Sequence, residues 1–249
     1  MSIPEHHAAR IAHHVYDNEG DPVPFKVDAV LEIDGREYKL LAISDKDPLT
    51  GYQGAIYQDQ TSGEMIVAHR GTETSMEGLA LAKDGAVDLQ MVMARANAQT
   101  RFAEALTQQA MEMAKNPRYW PEDVTSEPAV SHTGHSLGGY HAQDRAADHG
   151  HGGQSFSAFG AAGIGQAPAG IVEGRPAFVS HIRATDVVAN ASRHYGDVIH
   201  YATPEDVATV TAAVGRPGTE GPLGMFSRAL RASTFSYRQT PEFPQTLAA

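Results

Sequence analysis

The chain has 249 residues, 41% hydrophobic and 20% charged, which are the proportions of a folded domain and exclude a disordered or collagen-like chain. Nineteen basic residues against 30 acidic ones give a net charge of −11, which provides no basic footprint for nucleic acid and argues against tight electrostatic docking on anionic membranes. The absence of cysteine rules out thiolate zinc sites, iron–sulfur clusters, a cysteine nucleophile and a disulfide framework.

The first residues, Met1-Ser2-Ile3-Pro4-Glu5-His6-His7, lack the apolar run of a secretory signal. The expectation is residence in the cytoplasm of the producing cell, with export by a specialised secretion machine left open. Pro4 to Tyr16 predicts a short amphipathic helix with Ile11, Ala12, Val15 and Tyr16 on one side. Phe25 to Ile33 and Glu37 to Ile43 predict two strands turned by Asp34-Gly35. Tyr52 to Gln58 and Glu64 to His69 predict a second pair around Thr61-Ser62-Gly63, so the first third reads as a β meander.

Helical spacing then takes over from Ala96 to Lys115, through Phe102, Ala105, Leu106, Ala110 and Met113, and Asn116-Pro117 stops it. Next come a strand at Ala129 to Thr133 and a helix at Leu137 to Asp148, closed by Gly150. Further strands are expected at Ser155 to Phe159, Pro176 to Ala184 and Asp197 to Tyr201. Only about ten residues join Asp186 to the last of these, short for a helical crossover, so that strand is expected to run antiparallel to its predecessor. Thr203-Pro204-Glu205-Asp206 starts another helix, with a capping hydroxyl, a proline and two acids in the first turn. The alternation predicts an α/β fold with a mostly parallel central sheet flanked by helices, a single domain over 1–240 and a loose tail at 241–249.

The most informative stretch is Ser131-His132-Thr133-Gly134-His135-Ser136-Leu137-Gly138-Gly139-Tyr140. It reads G-x-S-x-G between a strand and a helix. A sharp turn there would hold Ser136 in a strained conformation and present its hydroxyl at the sheet's edge, over a helix N-terminus. The five-residue pattern is weak alone; the strand before it and the helix after it supply its meaning.

Gly134-His135-Ser136-Leu137-Gly138-Gly139 resembles the nucleophile elbow of the fungal-type, or class 3, lipases of the α/β-hydrolase superfamily. Met65-Ile66-Val67-Ala68-His69-Arg70-Gly71-Thr72 is similar to that family's strand ending in Arg-Gly-Thr or Arg-Gly-Ser. Ser155-Phe156-Ser157-Ala158-Phe159-Gly160 and Thr185-Asp186-Val187-Val188, followed by His194-Tyr195-Gly196-Asp197, extend the likeness over about residues 51–201. The resemblance implies a serine hydrolase of acyl esters, of lipase or phospholipase type, with Ser136 as nucleophile. Backbone donors at Leu137 and Thr72 would form its oxyanion hole. Asp186 fits the acid because it follows an apolar strand, although aspartate also favours turns. Asp197 is its rival, but begins a strand.

The family takes its catalytic histidine from well beyond the last strand, and this chain has none after His200. With an antiparallel last strand, His194 would lie near the edge where Ser136 and Asp186 meet, and His200 some 20 Å further on. His194 is therefore the expected base, and a catalytically inactive hydrolase fold used as an interaction module stays open beside a thioesterase or small-ester hydrolase. In the resembling family the segment Ser75 to Met93 carries a lid; its methionines and leucines suit a core helix equally well. None of the thirteen histidines sits in an H-E-x-x-H or Cys/His framework, and the near-terminal pairs His6-His7 and His13-His14 read as solvated. No metal or cofactor is expected. The expected partners are a lipid or acyl-ester substrate and, transiently, a membrane or lipid aggregate.

Overall fold

The computed structural model describes the backbone of residues 3–18, 20–71, 85–162, 167–186, 189–207 and 237–238, with side chains except at 85–93, 191 and 237–238. Helix α1 (Glu5–His14) starts after Pro4, whose carbonyl accepts the Ala8 N–H at 3.0 Å. A nine-stranded sheet follows, its strands adjacent in chain order. Strands β1 (Val30–Ile33), β2 (Arg36–Ile43), β3 (Gly54–Asp59) and β4 (Met65–His69) form the antiparallel meander expected from the turn residues. Asp34 and Gly35 both take positive φ, 50° and 77°, as a two-residue hairpin requires. From β4 onward the pairing is parallel, through β5 (Val130–His135), β6 (Gly152–Phe156), β7 (Phe178–Arg183), β8 (Asp197–Tyr201) and β9 (Tyr237–Arg238).

Helix α1 lies on one face of the sheet, where Ile11, Ala12 and Val15 pack with Leu40, Tyr57, Ile66 and Phe156. Helices α2 (Gly85–Lys115) and α3 (Leu137–His149) pack against each other, and both reach the sheet over β4 and β5. Ala103, Leu106 and Ala110 of α2 bury Ile56, Met65 and Val67, which alternate with the α1-facing residues as the two-residue period of a strand demands. The predicted cap at Thr203 forms: its hydroxyl accepts the Asp206 N–H at 3.1 Å, and Asp206 accepts the Thr203 N–H at 2.9 Å. Among the described residues no helix is long and apolar enough to cross a membrane.

Four sequence expectations need correction. First, β1 begins at Val30, not Phe25, because Pro24, Lys26 and the positive φ of Asp28 (69°) turn the chain just before it. Second, β6 begins at Gly152, three residues early, because a close approach puts Gly153 where a Cβ would meet the His132 carbonyl at 2.1 Å. Third, β8 runs parallel to β7, not antiparallel, with Val179 opposite Asp197 and Arg183 opposite Tyr201. No long helix is needed for that return. The chain descends through a 3₁₀ turn at Ala189–Ala191, bridges Arg193 to Ala162 and Tyr195 to Gly170, and turns at Gly196, φ 78°. Fourth, the near-terminal histidines are not all solvated. His7 and His14 are buried on the sheet side of α1 and hydrogen-bonded to the hydroxyls of Tyr38 (2.7 Å) and Tyr57 (2.8 Å).

A row of imidazoles crosses the sheet beneath α2 and α3. Tyr52 Oη lies 2.9 Å from His69 Nδ1, His69 Nε2 lies 3.3 Å from His132 Nδ1, and His132 Nε2 lies 3.0 Å from His151 Nδ1. Burial raises the Tyr52 phenol far above its ordinary range, so its O–H stays protonated and is able to donate to His69. Each imidazole contact pairs an N–H with a bare nitrogen, so the tautomers along the row are linked in one polarised chain of neutral rings. Burial, reinforced by the neighbouring rings, holds His69 and His132 well below the ordinary imidazole range.

Candidate active site

Strand β5 ends at His135 and α3 begins at Leu137, leaving Ser136 alone between them. Its backbone sits at φ 54°, ψ −125°, a region that L-residues rarely occupy and that costs on the order of 1–3 kcal/mol. Two bonds hold the turn: the Ser136 N–H donates to Phe156 O at 3.0 Å, and its carbonyl accepts the Tyr140 N–H at 3.2 Å. The flanking glycines explain how strand and helix come so close. A Cβ on Gly134 would lie 2.5 Å from Gly138, and a Cβ on Gly138 would lie 2.0 Å from the His69 carbonyl oxygen. Leu137 is the first residue of α3, so its N–H belongs to the helix's unpaired N-terminal donors and is poised beside the serine.

The end of β4 reaches the same point. A Cβ on Gly71 would meet Tyr16 Oη at 2.3 Å, the His135 carbonyl at 2.6 Å and Ser136 Cβ at 3.3 Å. Gly71 therefore packs directly on the elbow. Thr72, the expected second oxyanion donor, lies outside the described residues, as do 75–84 of the expected lid; the backbone of 85–93 forms the first turns of α2.

Tyr16 is a residue that sequence reasoning missed as part of this site. Leaving the end of α1, it sets its hydroxyl 2.9 Å from His135 Nδ1 and takes the Gly71 N–H as a donor. Burial pushes the Tyr16 phenol up to about 12 and His135 down to about 4, so a neutral phenol faces a neutral imidazole. The Arg70 guanidinium lies over the Tyr16 ring at 5.7 Å. One hydroxyl thus ties the end of β4 to the end of β5 on either side of Ser136. The pair is 119 positions apart in the chain, and no local pattern announces it. Ser157, just past β6, is a second strained residue at this edge, with φ 43°.

Asp186 follows β7 at the C-terminal edge of the sheet, as expected. Its Oδ1 accepts the Ala189 N–H at 2.9 Å and so starts the 3₁₀ turn. Asp197, the rival acid, opens β8 opposite Val179, at the far end of the sheet from Arg183. The parallel pairing also removes the argument that ranked His194 above His200. His200 sits opposite Ile182, near the C-terminal end, with Nε2 3.1 Å from Asn190 Oδ1, and Asn190 in turn donates to the Asp186 carbonyl at 2.7 Å. His194 lies on the returning segment, buried, with Nε2 2.7 Å from the Ala189 carbonyl. A carbonyl only accepts, so Nε2 carries the proton and the lone pair is on Nδ1, which has no hydrogen-bond partner among the described residues. Burial above all, then the nearby His200, holds His194 below its ordinary value. Among the described residues the structure does not join His194 to Ser136 or Asp186 by a hydrogen bond.

Three solved lipase structures are similar to this chain. A triacylglycerol lipase from Penicillium expansum matches with 15% identity, over 79% of this chain and 77% of that one, at a TM-score of 0.51. The Lip2 lipase of Yarrowia lipolytica matches with 15% identity, over 78% and 76%, at 0.49. A lipase from Rhizopus microsporus var. chinensis matches with 15% identity at 0.40, and there this chain spans just 56% of the other's length. No curated protein matches. The profile of a phospholipase-like family, the Tle-like phospholipase domain, matches residues 7–239. The sheet order, the strained serine between β5 and α3, and this match over nearly the whole chain place the protein in the family of Tle-like phospholipase domains.

Proposed function

We propose that the chain is a serine-dependent carboxylic ester hydrolase acting on an acyl ester of a lipid, a phospholipid or a glyceride. The observation that carries this reading is Ser136 at φ 54° between β5 and α3, with Gly71 packed on it. Strain of that kind persists where the surrounding structure over-determines it, and here it serves to expose one hydroxyl at a helix N-terminus.

The proposed chemistry runs as follows. Ser136 Oγ attacks the ester carbonyl, a histidine takes the serine proton and returns it to the leaving alcohol, and water then releases the acid by the reverse sequence. The N–H groups of Leu137 and Thr72 receive the oxyanion, a role whose loss typically costs on the order of 10²–10³ in kcat. Asp186 orients the histidine. His194 is the proposed base; the buried lone pair on its Nδ1 supports it, and release of its bond to Ala189 would be needed to engage the acid. Lipid as substrate rests on the family and on the lipase neighbours.

One observation favours a second reading: His194 is bonded to a carbonyl and not to Asp186, as in a hydrolase fold kept as an interaction module. A fluorophosphonate probe separates the two. A working triad labels Ser136 and loses the label in His194→Gln. Label lost in His200→Gln and kept in His194→Gln would move the base to His200. No label on the wild-type chain would establish the inactive fold.

A further inference from the structure

We infer that the first turn of α1 and the β1–β2 hairpin together form a divalent transition-metal site, with His6, His7 and Asp34 as ligands and zinc as the matching ion. The two adjacent histidines and an aspartate 28 residues after the first converge on one point: His6 Nε2 lies 2.6 Å and His7 Nε2 3.8 Å from Asp34 Oδ2. One donor atom from each of the three lies within 4.8 Å of the others. In a tetrahedral zinc site with bonds of 2.0–2.1 Å, donors stand about 3.3 Å apart, so the observed separations bracket that value. An ion would push His6 and Asp34 slightly apart, which their exposed side chains (58% and 72%) allow.

Two features argue against chance. Successive residues on a helix point about 100° apart, yet the His6 and His7 rings meet edge to face with centroids 4.3 Å apart, both turned toward the Asp34 carboxylate. His7 is also buttressed as metal-bound histidines are. Its Nδ1 is 2.7 Å from the hydroxyl of the fully buried Tyr38, which fixes the ring and leaves Nε2 facing Asp34.

The chemistry of the set selects the ion. Two imidazole nitrogens and one carboxylate oxygen suit zinc and its first-row neighbours and offer too few oxygens for calcium or magnesium. The fourth position opens to solvent. The ion would fasten the start of α1 to the hairpin, and the far end of the same helix leads to Tyr16 at the serine elbow. This inference does not depend on the chain being a hydrolase.

The test is calorimetric titration of the whole, chelator-treated chain with zinc sulfate, alongside thermal melts. The wild type should bind one zinc, and its Tm should rise by about 5–10 °C at a free zinc concentration a hundredfold above Kd. His6→Ala and Asp34→Asn should each weaken that binding at least tenfold while keeping the zinc-free Tm. Both side chains are exposed, and asparagine tolerates the positive φ at position 34. Equal zinc affinity in the wild type and the double variant would place any bound zinc on other histidines and overturn the assignment. So would the absence of binding at micromolar zinc, or a preference for magnesium or calcium.

Discussion

Acidification should unfold this domain steeply, and the buried imidazoles set both the direction and the size of the effect. Burial holds five rings far below the imidazole value of 6.5: His69 and His132 well below it, His141 at about 3, His135 and His151 at about 4. In the unfolded chain each would protonate near pH 6.5. Between pH 6.5 and about 4.5 the unfolded state therefore binds more protons than the native one. The stability these groups contribute is present above pH 6.5 and lost as the pH falls. One such group contributes a slope of about 1.4 kcal/mol per pH unit once the unfolded form is protonated. Five of them give about 6 kcal/mol per unit near pH 5, and about 9 kcal/mol between pH 7 and pH 5. A domain with a total stability of about 5–15 kcal/mol loses more than half of it, and at the lower end of that range all of it. Carboxylates held low by ion pairs and hydrogen bonds, such as Glu104 and Asp206 at about 2, add to it further down, below about pH 4.5. Urea unfolding followed by circular dichroism at half-unit steps from pH 7.5 to 5 measures the slope directly, and the acid midpoint should fall between about pH 6 and 4.5. A slope no greater than that of a single residue, about 1.4 kcal/mol per unit, would refute the reasoning, because it would mean that at least four of the five rings are protonated or solvated in the native state.

Three further outcomes follow from the elbow. Ser136→Gly and Ser136→Ala should both abolish ester hydrolysis, but the glycine variant should be the more stable by about 1 kcal/mol in denaturant titrations, since glycine takes φ 54° without strain. Gly138→Ala should cost about 3 kcal/mol or fail to fold, because its Cβ would lie 2.0 Å from the His69 carbonyl; an alanine variant with an unchanged melting temperature would contradict the packing. Tyr16→Phe deletes the hydroxyl that bridges His135 and Gly71. Steady-state kinetics should show kcat down roughly fivefold with KM within about twofold, as expected when about 1 kcal/mol of positioning is lost; a pure KM effect would assign Tyr16 to substrate binding.

Features governed by residues close together in the chain are legible in this sequence. Asp34-Gly35 can turn a hairpin, Thr203 with Asp206 can cap a helix, and Gly134, Ser136 and Gly138 can make a strained strand-to-helix turn, whatever the rest of the molecule does. The order of strands and helices, and with it the parallel centre of the sheet, follows from the same short-range signals. Other features depend on partners far away in the chain. The direction of β8 was decided by contacts of the returning segment with Ala162 and Gly170, not by its length, and that direction moved Asp197 to the far end and His200 to the near one. The fates of the histidines were decided the same way. His7 and His14 lie beside His6 and His13 in a polar-looking run, yet they are buried because tyrosines 31 and 43 residues later supply hydroxyls to them. An imidazole is apolar enough to bury and polar enough to need a partner there, so its place is set by whether the fold brings a partner within about 3 Å. Tyr16 reached the serine elbow for that reason: a hydroxyl with His135 on one side and the Gly71 amide on the other is a property of three chain segments meeting, and no one of them carries it alone.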